Sequence, residues 1–510
     1  VNKPSLFAHK RFKDLAILAT TAALLAPGTV EAKRAMRLEP PAPAAFPEAP
    51  FRNKPPEAGP VRDVQQPAAQ EFTLPSGLHV LLVERRQIPT LSLQFVLPVG
   101  SQDDPPGKEG LASVCVDLLT EGTKSLDKIA FSEALADLAS SIGSSAGVDQ
   151  SSLTAAMLER NVDKTLDLVA DTLLQPGMRA EDFTRIIRQR KAGLQAQRGN
   201  PSALAGRLAA SVVYGPQHPF GRVATEASYD HLTIEDCRKQ VAERIRPGGA
   251  KLYVVGAIDR ASLERKLSER LASWQGSAPV LPPTGAPKSR PGRVFFVDVP
   301  GAQQAVVQVM HPGPRRTAPD YETTSVLASI LSSGFSSRIN MNIREKHGYA
   351  YGAGGGFSYT RDAGIFSVAA SVRIDTAGPS IREILKEMEA IRAADVTPDE
   401  LSREKQGAIL ALPSRWSTGQ SIVSTFQGLQ YYGLPLDEYT RSVPRIQAVD
   451  AAKVLAAAKA YVHPEVAQVL VVGDAATVLP QIEALQKDGT LPAGIVRLDT
   501  DGKVLTELGK

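Results

Sequence analysis

The sequence predicts an α+β protein made of two copies of one domain, each a mostly antiparallel sheet with helices laid over one face. Three observations predict it. An order of strands, paired helices, a strand, long helices and a closing strand occurs twice along the chain. A Pro- and Gly-rich break, residues 274–291 (WQGSAPVLPPTGAPKSRP), separates the two occurrences. Gly122 in LLTEGT and Gly334 in ILSSGF fall at equivalent places, 212 residues apart. A period that long is no solenoid, whose repeats run roughly 20–50 residues. At 510 residues the chain also exceeds what one hydrophobic core usually organises.

In the first copy, 72–83 reads as two short strands around Pro75-Ser76-Gly77, and 90–99 (TLSLQFVLPV) alternates as a half-buried strand should. Apolar spacings near three and four predict helices over 109–120, 129–142 and 162–174, with a strand at 152–158 between the last two. Long helices follow at 180–196 and 202–214, and KLYVV at 251–255 closes this half as a strand. The second copy begins with strands at 293–299 and 304–311, then helices at 321–331 and 337–346. A strand at 364–372, helices at 379–394 and 398–412, and a closing strand at 466–472 (VAQVLVV) complete the echo.

Composition narrows the function. Apolar residues make up 43% and charged residues 22%, the balance of an ordinary soluble globular protein. Net charge is +4, half of it in the first 32 residues, and no basic tract interleaves with aromatics, so a nucleic-acid partner is not expected. Lys3, Lys10, Arg11 and Lys13 form a positive region ahead of a short apolar run at 15–27, and small residues end it near Ala32. The run is shorter than the roughly 20 residues a bilayer span needs. Residues 1–32 therefore read as a signal peptide cleaved near Ala32, with a retained anchor or a buried helix as the other readings. The style is bacterial, so the periplasm is the expected destination and no stable membrane insertion is expected. Residues 33–70 are a Pro/Ala-rich tether, 71–280 the first domain, 281–291 the linker and 292–510 the second domain. Cys115 and Cys237 are the only cysteines, and whether they pair is left open.

Residues 107–123 read GKEGLASVCVDLLTEGT. This resembles the insulinase/pitrilysin family of zinc peptidases, in its short-chain bacterial branch. Active members show Gly-Leu-Ala-His-x-x-Glu-His, an apolar turn and Gly-Thr in the same frame. On a helix, two histidines four apart share one face and grip Zn²⁺ while the glutamate polarises the attacking water. Gly110-Leu111-Ala112 and Gly122-Thr123 match at the correct interval. The first histidine position is Ser113, the glutamate is Val116 and the second histidine is Asp117. The family's third ligand is a glutamate on a later helix, yet residues 183–225 contain no Asp or Glu. Asp117 alone does not make the three protein ligands a catalytic zinc needs, so no metal is expected in this chain. A serine-hydrolase role for Ser113 and Asp117, or a nucleophilic Cys115, lacks a histidine nearby in sequence; a plain buried helix is the simpler reading.

Residues 332–357 (SSGFSSRINMNIREKHGYAYGAGGGF) resemble the family's second signature. In active relatives an Arg, and a Tyr seven residues on, reach the zinc site and hydrogen-bond the substrate carbonyl and the oxyanion it becomes. By match these are Arg344 and Tyr351, with Tyr349 a competitor for the Tyr role. A permanent guanidinium fork and a neutral phenol suit that task. The competing reading has Arg344 capping its helix and Tyr351 packing on the sheet. GAGGG at 352–356 lacks the spacing of a phosphate cradle and suits a strand edge or a peptide channel. His218-Pro-Phe-Gly-Arg222 matches a structural turn of the family.

The resemblance covers about 72–476 and implies a clam-shell architecture that closes on unfolded peptide, which adds as a strand to a sheet edge. It implies a non-catalytic subunit of a heterodimeric periplasmic metallopeptidase, with Zn²⁺ in the partner subunit and Arg344 and Tyr351 supplied in trans. The alternatives are a stand-alone peptide-binding or structural scaffold and, third, an enzyme of different chemistry.

Overall fold

The computed structural model describes residues 51, 65–280 and 284–508. The expected leader and nearly all of the Pro/Ala-rich tether lie outside them. β1 (Gln70–Thr73) and β2 (His79–Glu84) form the first hairpin, turned by Gly77 at φ 89°, where a side chain would be strained. They are followed by β3 (Thr90–Leu97), α1 (Leu111–Leu118), α2 (Lys128–Asp137), β4 (Ser141–Ala146), β5 (Ser151–Leu158), α3 (Val162–Leu174) and α4 (Ala180–Gln197). Then come α5 (Pro201–Tyr214), α6 (Glu226–Asp230), α7 (Ile234–Arg244), β6 (Lys251–Gly256) and α8 (Arg260–Arg270).

The second half opens with β7 (Arg293–Asp298), β8 (Gln304–Gly313), α9 (Tyr321–Ala328), α10 (Arg338–Asn340), β9 (Ala350–Tyr359) and β10 (Gly364–Arg373). It continues with α11 (Ala377–Ala393), α12 (Pro398–Ala411), α13 (Gly419–Tyr431), α14 (Ser442–Gln447) and α15 (Ala451–Tyr461). β11 (Gln468–Gly473), α16 (Ala475–Lys487), β12 (Ile495–Leu498) and β13 (Val504–Leu508) end it. α9 and α10 each run on into a π-helical turn, Ser329–Ser333 and Met341–Lys346.

The duplication is plain in the topology. The first sheet runs β1-β2-β6-β3-β5-β4 and the second β13-β12-β7-β11-β8-β10-β9. The block β2-β6-β3-β5-β4 thus corresponds to β7-β11-β8-β10-β9. In each block the first pair is parallel and the rest antiparallel. β4 and β9 are equivalent, and each is the open edge of its sheet.

Central strands such as β2, β6 and β11 are buried on both faces, which explains their unbroken apolar runs. One face of each sheet meets helices of its own half. Val80, Leu82, Leu93 and Phe95 pack with α1 and α3, and Val307, Val309 and Phe366 with α9 and α11. The opposite faces are covered by exchange. Leu204, Leu208 and Val212 of α5, from the first half, lie on Val297, Met310 and Leu470 of the second sheet. Ile422, Val423 and Phe426 of α13, from the second half, lie on Leu81, Val83 and Val255 of the first. The halves therefore share their cores and form one compact unit.

The local reading leaves α6, α13, α14, α15, α16, β12 and β13 unassigned, and it departs from the structure elsewhere as well. The helix expected over 129–142 ends at Asp137, because Ala139 takes a left-handed φ of 46°, and Ile142 belongs to β4. β4 itself, SIGSSA, has Ile142 as its one β-branched residue and no aromatic, too little to mark a strand. α7 and α8 carry too few buried apolar residues to stand out from their charge, with Cys237 alone buried on α7 and Leu263 and Leu267 on α8.

Candidate functional site

α1 is set on the sheet by its own sequence. Gly110, at φ 100°, precedes the helix in a conformation that a Cβ would push into the Tyr229 ring. The Asp104 carboxylate accepts the N–H groups of Gly110 and Ala112, both at 2.8 Å, and so holds the first turn. Burial pushes that carboxyl up to about 7 against the pull of the two donors. Leu111, Ala112, Val114, Cys115, Val116 and Leu118 are buried. Ser113 and Asp117, one turn apart, lie half-buried on the remaining face. A disulfide joins Cys115 to Cys237, tying α1 to α7.

The Asp117 carboxylate is in a close ion pair with Arg190 of α4. Glu121, just past α1, binds Arg185 of α4 at 2.5 Å and Lys128 at 3.0 Å. α4 thus presents the cations Arg185 and Arg190 to the acids at the end of α1. A guanidinium beside Asp117 repels a divalent cation and already supplies the carboxylate with its counter-charge. Val116 points into the core at 1% exposure, so no water-polarising group stands at that position. Among the described residues, no group of three or more His, Cys, Asp or Glu is placed to hold a metal ion.

The second cluster lies at the β9 edge. The π-helical turn Met341–Lys346 carries Arg344, and Gly348, at φ 63°, turns the chain into β9. The Arg344 guanidinium carbon is 5.1 Å from the Tyr351 ring centroid and 4.6 Å from that of Phe335, both within cation–π range. Its Nε is 3.1 Å from a Glu345 carboxylate oxygen. Tyr351 is 90% exposed and Phe335 66%, so this cationic and aromatic group faces outward. Tyr349 lies elsewhere: its ring stacks on His347 at 4.9 Å and packs against the second core.

Sequence reasoning missed Phe335 and Asn340. Asn340, 5% exposed, donates to the Phe335 carbonyl at 2.6 Å and accepts the Ala353 N–H at 3.0 Å. It fixes the loop bearing Phe335 against β9, two residues from Tyr351. No periodicity marks either residue; only an aromatic in a Gly/Ser-rich loop hints at Phe335. Two of the β9 glycines have a packing cause: a Cβ on Gly355 would meet the Ser367 carbonyl at 1.9 Å, and one on Gly356 the Ser333 hydroxyl at 2.6 Å. In the 218–222 turn, Arg222 donates to the Asp104 carbonyl at 2.7 Å, so that motif braces the start of α1.

Two duplicated sheets, and a zinc-motif frame filled by Ser113, Val116 and Asp117, define a metallopeptidase fold without that motif's ligands. The chain belongs to the insulinase family, peptidase family M16. The model described as "Insulinase (Peptidase family M16)" matches residues 79–214, and that described as "Peptidase M16 inactive domain" matches 231–408. An uncharacterized zinc protease of Streptomyces coelicolor is 24% identical over 384 residues, covering 72% of this chain and 79% of that protein. The non-peptidase homolog YmxG of Helicobacter pylori is 22% identical, covering 70% of this chain and 83% of its own. Among solved structures, a peptidase M16 inactive domain from Pseudomonas fluorescens superposes with a TM-score of 0.74 at 23% identity. That match covers 80% of this chain and 98% of the other.

Proposed function

We propose that this chain is the zinc-less, non-catalytic subunit of a heterodimeric periplasmic metallopeptidase. Its Arg344 and Tyr351 bind peptide and stabilise the oxyanion formed at the partner subunit's zinc site. The observation that carries the reading is the outward-facing Arg344–Tyr351 pair, two unlike donors on one rim. The partner's metal would supply Lewis-acid activation. This chain's residues would hold the peptide carbonyl by a charged fork and a phenol O–H, aimed where negative charge develops. Phe335 and Tyr351 stack about the guanidinium and restrict its rotamers before substrate arrives. The Asp117–Arg190 pair, and a relative named a non-peptidase homolog, support the absence of a working zinc site. The Cys115–Cys237 disulfide supports export, since such bonds persist in oxidising compartments.

The test is cleavage of an unfolded peptide by this chain alone, by a zinc-bearing family member from the same organism, and by the mixture. Activity in the mixture above that of the zinc-bearing chain, with none from this chain alone, is expected. Arg344→Ala with Tyr351→Phe should lower kcat of the mixture by roughly 10²-fold or more, the scale of a lost oxyanion donor. The open edges β4 and β9 favour a second reading, a stand-alone scaffold that takes up peptide by strand addition. Unchanged activity in the double variant would leave only that reading.

A further inference from the structure

The two hairpins that end in the open edges of the sheets meet near their tips. Residues 147–150 turn β4 into β5, and residues 360–363 turn β9 into β10. By the duplication these hairpins are equivalent, one from each half. The first tip is tied to its own half, since the Ser101 and Gln102 N–H groups donate to the Gly147 and Val148 carbonyls at 3.0 and 2.8 Å. The second is closed on itself, with the Thr360 N–H donating to the Ala363 carbonyl at 2.9 Å. Among the described residues, no side chain of 147–150 or 360–362 belongs to an apolar core cluster. Apolar packing therefore does not join the tips.

Tyr431, the last residue of α13, joins them through one hydroxyl. It donates to the Asp149 carboxylate in a close contact and accepts the Arg361 backbone N–H at 2.9 Å. A phenol has a single proton to give, so donating to a carboxylate also makes its oxygen a better acceptor, and the two bonds strengthen each other. Burial, and then the Asp149 carboxylate, hold the phenol above its ordinary value, so it remains a donor at neutral pH. The Arg361 guanidinium lies 3.8 Å from Asp362, and it is the backbone of Arg361 that completes the bridge. α13 itself is anchored on the first sheet by Ile422, Val423, Phe426 and Leu429. Beside the bridge, the Tyr432 hydroxyl donates to the Tyr359 carbonyl at 3.3 Å, and Tyr214 of α5 meets the Thr360 side chain.

We propose that Tyr431 is a conformational latch between the halves. Closed, it docks the tip of the β9–β10 hairpin on the first half; open, it lets the tip part from that half while β9 stays on its own sheet. Contacts made of a few polar bonds at a half-exposed surface open locally, without unfolding the core. The latch is a property of this chain by itself and rests on no partner or substrate.

The test is hydrogen exchange of the full chain, read by mass spectrometry over residues 359–363. Tyr431→Phe should speed exchange there at least roughly tenfold, because a charge-assisted pair of bonds is lost. Asp149→Ala should speed it as well, although Asp149 bonds no atom of that segment. Added to Tyr431→Phe, Asp149→Ala should have no further effect, whereas Asp149→Ala and Tyr432→Phe should add. Asp149 lies in a turn, so its variant keeps the test open if Tyr431→Phe folds poorly. Unchanged exchange over 359–363 in Asp149→Ala would overturn the latch, and so would equal effects of Asp149→Ala with and without the Tyr431 hydroxyl.

Discussion

At Asp117 a carboxylate stands where the zinc motif of the family has its second histidine, and Arg190 from α4 supplies its counter-charge. The pair is 29% and 40% exposed on its two sides, so screening limits its value. Asp117→Asn should therefore lower stability by less than about 1 kcal/mol and leave cleavage by the partnered enzyme unchanged. Thermal unfolding and the mixed assay check both; a large loss of activity would mean that this helix acts in the chemistry. The altered motif was legible in the sequence, because Gly110 and Gly122 fix the frame around Ser113, Val116 and Asp117. What replaced it was not. The Asp117–Arg190 pair joins residues 73 positions apart on helices whose contact only the fold creates. For the same reason Asn340, a polar residue in an ordinary helical stretch, gave no sign that it clamps β9 to the Phe335 loop.

Elements are fixed by a few polar bonds between them as much as by their own patterns. Arg338 on α10 meets Glu400 on α12 through two bonds of 2.7 and 2.8 Å, both side chains about one-fifth exposed. Arg338, with help from the Thr397 cap, holds the Glu400 carboxyl down at about 2. A depressed carboxyl contributes stability that is present above its unfolded value near 4.5 and is lost as pH falls toward 2. Glu400→Gln should thus cost about 1–3 kcal/mol at pH 7 and progressively less below pH 4.5, read as the difference in melting temperature from the parent chain. A pH-independent difference would show that the pair acts by packing alone. The Cys115–Cys237 bond closes a loop of 122 residues between α1 and α7, and its reduction should cost about 2–4 kcal/mol. Strands and helices with strong apolar periods were legible within a residue or two, as with α3 over Val162–Leu174. β4 was not, since its small polar residues satisfy an edge strand whose partner β5 supplies the ladder.

Over the whole molecule, the exchange of α5 and α13 decides how the two halves stand toward each other. Duplication was readable as a repeated order of elements, but helix spacing alone does not say which sheet a helix covers, and the two crossings had no sequence signal. Phe426 and Leu208 are both 0% exposed, and each sits on the sheet of the opposite half. Without α13 the first sheet would expose Leu81, Val83, Tyr253 and Val255 together, a patch that a soluble lobe does not tolerate alone. The halves should therefore unfold as one cooperative unit, even though each has its own sheet. Phe426→Ala should cost about 3–5 kcal/mol and Leu208→Ala about 2–5 kcal/mol. Calorimetry should show both substitutions moving the same single transition. Two transitions, with Phe426→Ala shifting one and Leu208→Ala the other, would mean that the exchanged helices dock only after each half has folded by itself. In the expected case, residues 65–280 expressed alone should show no cooperative melt, and adding a chain of residues 284–508 should restore it.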